Sequence, residues 1–313
     1  MSVPGVARTP RALPDLDALA VRFEARRVAT EAAVQARTVP AVALGVGGAV
    51  AIGIVLALSG APWFFVLASG LPGVAAWRWR RQPRLAYLRR VKDEVYPEAV
   101  CLIGPDWQYR RTGAVDLASL KPFGILPGHD RERQSDWMAG TWAGIRIEMS
   151  EAKLTEERGS GNNRHRVTTF AGVIVRMTMP EGPRGRILIR RRFGTAPLFS
   201  GLKRVRLETS RFEKAFNVYA DDQVEARRVL TVTVMERFAA LSDDLMRLGG
   251  GLPSERLEAS FVDGDLLALV PCRTDLFEPK PEGGPLHVRQ DLERLIAEIH
   301  DVLRIAEALG LGR

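Results

Sequence analysis

Cysteine and histidine are both scarce, with two of the first and four of the second in 313 residues. Cys101 and Cys272 are too few for a disulfide-stapled scaffold and too far apart in sequence for a zinc-ribbon pair. His129, His165, His287 and His300 show neither HxxxH nor HExxH spacing, so no metal site is expected. There is no GxSxG, no Walker A sequence and no GxGxxG after a strand, and no cofactor is expected. With 46% hydrophobic and 26% charged residues, the chain has an ordinary globular composition, which excludes wholesale disorder.

The most informative absence is one of charge. Between Arg37 and Arg78 lie 40 residues without Asp, Glu, Lys, Arg or His. A spanning helix needs about 20 apolar residues, so this run has room for two. Apart from Pro40, Val39 to Leu58 is continuous Ala, Val, Ile, Leu and Gly, and Ser59-Gly60-Ala61-Pro62 reads as a turn. A second stretch runs from Trp63 to about Trp77, with Gly70, Pro72 and Gly73 in its interior. Trp63, Phe64 and Phe65 at one end, and Trp77 and Trp79 at the other, suit two interfacial belts. A transmembrane helical hairpin is expected. A single span followed by a re-entrant or interfacial segment is the alternative that Pro72 leaves open. Gly45, Gly47, Gly48 and Gly53 point to a close helix contact. A signal peptide does not fit, because the apolar region starts near residue 39, is too long and lacks a small-residue cleavage site.

Basic residues orient the hairpin. Arg22, Arg26, Arg27 and Arg37 precede it, and Arg78, Arg80, Arg81, Arg84, Arg89, Arg90 and Lys92 follow it. The connecting turn carries none, so both termini are expected on the cytoplasmic side. That compartment also suits two unpaired thiols. The seven cations of the fifteen-residue collar 78–92 account for most of the net charge of +8, leaving +1 for the remaining 298 residues. The basic balance is therefore read as a topology signal and a handle on anionic headgroups, worth about 1 kcal/mol per cation near the surface. It is not read as a nucleic-acid footprint, and no nucleic-acid partner is expected. A further cluster, Arg184, Arg186, Arg190, Arg191, Arg192, Lys203, Arg204 and Arg206, has three readings. These are a solvated strand face, a second membrane-facing patch and, last, a nucleic-acid surface that lacks any aromatic platform.

The pattern becomes globular after Leu85, with a basic helix to Glu98. Trp142–Glu157 and Arg166–Met179 alternate in part and flank the Gly/Asn-rich Arg158–Arg164, which predicts a long β-hairpin. Strands are also expected at Arg186–Arg191, Lys203–Glu208, Leu257–Val262 and Asp265–Val270, the last two joined by the hairpin signal Asp263-Gly264. Helices are expected at Pro14–Ala36, Gln223–Leu248 and Val288–Leu309. The last places Leu292, Leu295, Ile296, Ile299, Val302, Leu303 and Ala306 on one stripe, by default a core face, with a partner helix as the alternative. The fold class is α+β: a two-helix transmembrane hairpin, then a cytoplasmic antiparallel sheet with packed helices. The expected divisions are an N-terminal helix over 1–38, the hairpin over 39–78, a basic juxtamembrane helix over 79–98 and a soluble domain over 99–313.

Val205 to Leu241, "VRLETSRFEKAFNVYADDQVEARRVLTVTVMERFAAL", resembles the signature of an uncharacterised bacterial membrane-protein family, domain-of-unknown-function family 3137. Gly140-Thr141-Trp142-Ala143-Gly144, Phe170-Ala171-Gly172, "SFVDGDLLALVP" and "LFEP" at Leu276–Pro279 resemble further family features. The resemblance covers roughly residues 85–313. It implies a membrane-anchored protein of unknown activity and supplies no catalytic residues. One departure is Val232, where the family usually has a proline after the Leu-Thr pair.

Within this motif, Asp221, Asp222, Glu225 and Arg227 are the candidate catalytic residues, as paired carboxylates beside an arginine suit acid–base or metal work. Their spacing equally suits a capping box in which Asp222 accepts from the N3 amide and Glu225 reaches back. Thr233 and Glu236 repeat that spacing, implying a second helix start after a break near Leu230, and Arg227 is expected to pair with Asp221 or Glu213. Glu148, Glu151 and His165 form a candidate proton-transfer set across the long hairpin, with a solvated cross-strand pair as the plainer reading. The functional expectation is an inner-membrane-anchored adaptor or scaffold facing the cytoplasm, with a protein partner. The alternatives are a membrane-surface enzyme with an acidic site and an anionic-lipid-binding module using the collar Arg78–Lys92.

Overall fold

The computed structural model describes residues 13–58, 70–179, 182–192, 201–207, 210–248, 256–273, 276–278 and 288–311. The expected turn at Ser59–Pro62, the start of the second apolar stretch, His287, Glu208 and Pro279 lie outside the described residues. The described residues fall into two compact units. One runs to Tyr96 and includes the start of the last helix up to Leu292; the other comprises Pro97–Glu278 and Glu293 onward.

The first unit is helical, with α1 (Leu13–Ala36), α2 (Thr38–Leu58) and α3 (Gly70–Arg90), then a π-helical turn at Val91–Val95. In α1, Arg27 donates to Glu24 three residues before it, at 2.9 Å, and to Glu31 four residues after it, at 2.8 Å. These are the spacings at which helix side chains meet. Among the described residues, one helix is long and apolar enough to cross a membrane. The 21 residues of α2 carry no charge and span about 31 Å, the thickness of a bilayer's hydrocarbon core. A methyl group on Gly48 would sit 2.7 Å from Cβ of Pro72, and one on Gly45 would sit 3.5 Å from Cα of Gly73. The face of α2 that carries Gly45 and Gly48 therefore packs on α3 with almost no side chain between, while Gly47 has nothing within 4 Å. Arg37 lies over the Trp79 ring at 5.2 Å and Arg81 over Trp77 at 4.0 Å.

The second unit contains α4 (Tyr96–Val100) from Pro97 onward, followed by an antiparallel nine-stranded sheet. Its strands are β1 (Gln108–Arg110), β2 (Arg131–Trp142), β3 (Ile145–Arg158), β4 (His165–Thr178), β5 (Arg186–Arg191), β6 (Lys203–Val205), β7 (Phe216–Ala220), β8 (Glu258–Val262) and β9 (Asp265–Pro271). The spatial order is β1-β2-β3-β4-β9-β8-β5-β7-β6, so the late β8–β9 hairpin is inserted between β4 and β5. Asp263 and Gly264 have φ of 46° and 92°, the doubly positive turn that the Asp-Gly pair signals.

The alternating pattern is only partial because both sheet faces are covered. One face buries Ala152, Leu154, Ile174, Leu188, Leu267 and Leu269 against Val115, Leu117, Leu120, Phe123 and Ile125 of the β1–β2 connection. The buried Ser260 hydroxyl donates to the Phe123 carbonyl at 2.7 Å and ties that connection down. The other face, with Ile147, Met149, Val173, Val175, Ile187 and Ile189, is equally buried. Strands covered on both sides become continuous apolar runs such as Ile187-Leu188-Ile189. The helices are α5 (Ser210–Ala215), α6 (Gln223–Val229), α7 (Val232–Leu248) and α8 (Val288–Ala308). Phe238 of α7 stacks edge-on with Phe216 of β7 at 5.3 Å. The stripe on α8 is core: Leu295, Ile299, Val302, Leu303 and Ala306 are each about 1% exposed or less.

Three features depart from the sequence reading. Trp142–Glu157 is not one strand, because Ala143 and Gly144, with φ of 51° and 81°, turn β2 into β3. Alanine rarely takes that conformation, so the turn carries no composition signal. β1, β2 and β7 were not foreseen, and the strand expected over Lys203–Glu208 ends at Val205, with Arg206 and Leu207 outside it.

Candidate functional site

The acidic motif sits where β7 runs into α6. Asp222 is the N-cap of α6, and its Oδ1 accepts the amides of Val224 at 2.7 Å and Glu225 at 3.2 Å. The reciprocal half of the capping box is not made. Asp221 instead accepts the Asp222 amide at 2.7 Å and, through both oxygens, the Arg186 amide at 3.0 Å. It thereby clasps the turn before β5, where Gly185 has φ of 75° and a methyl group would meet Oδ1 of Asp221 at 2.7 Å. Glu225 turns to Arg228, at 2.7 and 2.6 Å, and to the Arg184 amide at 3.3 Å. The Arg228 hydrogen bond, and secondarily that amide, hold its carboxyl below the usual range.

Arg227 pairs with neither Asp221 nor Glu213. Among the described residues it reaches only Gln223, at 3.5 Å, and Glu213 accepts the Leu207 amide at 2.9 Å. Side-chain direction on α6 decides: Arg228, three residues from Glu225, is on its face and Arg227 is not. The second helix start uses Thr231, whose hydroxyl accepts the Val234 amide at 3.4 Å, rather than Thr233. Val232 is then the first helical residue, the position where proline is best tolerated, so the departure from the family pattern leaves the helix start in place. Thus three of the four acid-motif candidates serve main-chain amides.

The structure does not bring Glu148, Glu151 and His165 together. His165 pairs with Arg158 at the tip of the β3–β4 hairpin, ten residues or about 33 Å along the strand from Glu148. Glu148 accepts the Trp137 indole N–H at 2.8 Å, and Glu151 stands opposite Val173. His300 meets Trp142 edge-on at 5.6 Å, and His129 accompanies Glu132 at 3.6 Å. Among the described residues, no three His, Cys, Asp or Glu side chains converge as metal ligands. Cys272 is buried, and burial raises its thiol to about 12, with Glu151 and Glu298 adding to the shift; Cys101 is exposed. Of the juxtamembrane collar, Arg78, Arg81, Arg89 and Arg90 are exposed and Arg80 and Arg84 half-buried. Lys92 is only 5% exposed and leaves the set that faces solvent.

The arginine-rich stretch 184–206 does not act as one patch. Arg184 belongs to the acidic turn, and Arg204 donates to Asn217 at 3.0 Å. Arg190 lies 3.4 Å from the buried Glu258. Burial pushes the Glu258 carboxyl up, against the opposing pull of Arg190 and Arg191. Arg191 and Arg192 line a cavity of about 790 Å³ that sequence reasoning missed. It arises because the β8–β9 hairpin is shorter than its neighbours. β4 pairs with β9 only from Thr178 to Gly172, and β5 with β8 only from Arg186 to Ile189. Past those pairs, the start of β4 and the end of β5 flank a notch. Lys153, Lys214, Arg256 and Arg273 complete its basic lining, and no acid lines it among the described residues. Four of these six cations lie outside the arginine-rich stretch, so no run of sequence announces the site.

No curated protein matches the chain. It is similar to a crystal structure of the mycobacterial trehalose monomycolate transport factor A, TtfA, with a TM-score of 0.38 and 9% identity over 69% of this chain and 93% of that one. Residues 168–311 match DUF3137, a protein family of unknown function, which establishes over that stretch the resemblance carried by Val205–Leu241.

Proposed function

We propose that this protein is a membrane-anchored binding module of the bacterial inner membrane, an adaptor or scaffold rather than a catalyst. In this reading α2 and the stretch from Trp63 to Trp77 form a helical hairpin. Both termini and the α+β domain face the cytoplasm, where the collar from Arg78 to Arg90 meets anionic headgroups. The observation that carries the reading is the uncharged 21-residue α2, packed through Gly45 and Gly48 onto an α3 that turns strongly basic from Arg78. Short basic flanks hold their end of a span on the cytoplasmic side. The commitment of Asp221, Asp222 and Glu225 to amides and Arg228 supports a non-catalytic domain.

Single-cysteine accessibility in intact cells tests the topology. Starting from a chain with Cys101 and Cys272 replaced by serine, cysteines placed at Ser2, at Ala61 and at Ser119 are labelled with a membrane-impermeant maleimide. The expected result is labelling at position 61 alone before lysis. Labelling at position 119 in intact cells refutes a hairpin with a cytoplasmic domain.

A further inference from the structure

The basic notch beside the β8–β9 hairpin has the makings of an anion-binding site. Its cations come from five separate places in the chain: Lys153 on β3, Arg191 and Arg192 at the end of β5, Lys214 in α5, Arg256 before β8 and Arg273 after β9. Gathering six like charges around a cavity of about 790 Å³ costs repulsion in the absence of an anion. Among the described residues outside the lining, Glu258 lies 3.5 Å from Arg191 and Asp243 2.6 Å from Arg256. Burial would raise Asp243, but hydrogen bonds from Arg256 and Arg211 outweigh it and keep the carboxyl low. These acids orient the two arginines without entering the notch.

The walls are built as firmly as the charges. At the β4 wall the register slips between Leu154 and Thr155, making Thr169 the extra residue of a bulge, and its hydroxyl donates to the Leu154 carbonyl at 3.3 Å. Bulges re-aim neighbouring side chains and end pairing. Gly172 follows with φ of 150°; a methyl group there would lie 2.0 Å from the Val270 carbonyl oxygen, so only glycine lets β9 approach this closely. The Cys272 amide donates to the Ala171 carbonyl at 2.9 Å, and the Arg192 amide to the Ala215 carbonyl at 2.8 Å, fixing both rims.

We infer that this notch binds an anionic, phosphate-bearing ligand. Arginine forks match phosphate oxygens two at a time, and the lysines add point charges at the rim. The volume falls within the range of small-molecule sites, about 300–1,000 Å³. Phe170, Ala171, Ala215 and Pro271 supply apolar floor for whatever the phosphates are attached to. The phosphate can belong to a lipid headgroup or to a soluble phosphate compound. The inference rests on the notch and is independent of the membrane anchor.

The test uses the full-length protein in phosphatidylcholine nanodiscs, titrated calorimetrically at low ionic strength. The probes are inorganic pyrophosphate, monomeric dihexanoyl phosphatidylglycerol and dihexanoyl phosphatidylcholine. Lys153 and Lys214 are exposed, so the double variant K153E/K214E is expected to keep its thermal midpoint while binding about tenfold more weakly or not at all. R227E, half as large a change of surface charge, near the other end of β5, is expected to bind as the parent does. Pyrophosphate binding without phosphatidylglycerol binding assigns a soluble ligand, and the reverse assigns a lipid headgroup. Binding of neither anion overturns the inference. So does binding that K153E/K214E leaves intact, or that R227E weakens as much, because the charge of the notch would then not be what is recognised.

Discussion

Replacing Asp222 by alanine separates structural from catalytic use of the acidic motif. Asp222 accepts two otherwise unpaired amides at the start of α6, at 2.7 and 3.2 Å, and is exposed. Loss of such a cap costs about 0.5–2 kcal/mol, because water can replace part of what the carboxylate gave. In a domain of this size that lowers the unfolding midpoint by about 2–4 °C per kcal/mol. Asp221→Ala removes acceptors for two amides on different segments, Asp222 and Arg186, and frees the turn at Gly185. Hydrogen bonds to a charged acceptor contribute about 1.5–3 kcal/mol net, less at an exposed site such as this, so Asp221→Ala is expected to cost more than Asp222→Ala, about 2 kcal/mol. Asp221→Asn keeps an acceptor and is expected to recover part of that loss. Arg227→Ala removes only the 3.5 Å contact to Gln223 and is expected to stay within about 0.5 kcal/mol of the parent. Far-UV circular dichroism melts of the full-length protein in detergent read the whole series. The structural reasoning is refuted if Arg227→Ala costs as much as Asp221→Ala. It is also refuted if the aspartate variants melt with the parent.

Thiol chemistry gives a second check: in the native protein only Cys101 is expected to react with Ellman's reagent, because Cys272 is buried and its thiol is raised to about 12. Cys101→Ser is therefore expected to be silent until denaturant is added, and a prompt native reaction in that variant would contradict the burial. A third concerns pH. Glu258 has its pKa raised in the fold, so the native state holds a proton that the unfolded chain has already lost. Its contribution is fully present below the ordinary glutamate range and lost as pH rises through the raised value, with a slope of at most about 1.4 kcal/mol per pH unit. Glu225 and Asp243, held low, act in the opposite sense and lose their contribution as pH falls below the usual carboxylate range. The stability difference between the parent and Glu258→Gln is expected to shrink or reverse as pH rises from about 4 upward. A difference flat with pH removes this account of Glu258.

Local signals in the sequence were sufficient wherever a local physical cause decided the outcome. The absence of charge from Thr38 to Leu58 marks the described helix that is long and apolar enough to cross a membrane, since a charge cannot be left in a bilayer cheaply. The Asp263-Gly264 turn, the apolar stripe of α8 and the Asp222 cap each depend on residues within a few positions of one another, and each is where the pattern put it. Side-chain partners already escaped: Glu225 chose Arg228 and an amide from residue 184 over its own helix start. What joins distant segments was decided only by tertiary structure. The insertion of β8–β9 between β4 and β5 separates strands that are neighbours in sequence, and its shortness opens the notch. The six cations there span residues 153 to 273, and only pairing across the sheet brings them to one cavity. A charge pattern read along the chain reports density per residue, whereas an anion responds to density in space, and the register of the sheet converts one into the other.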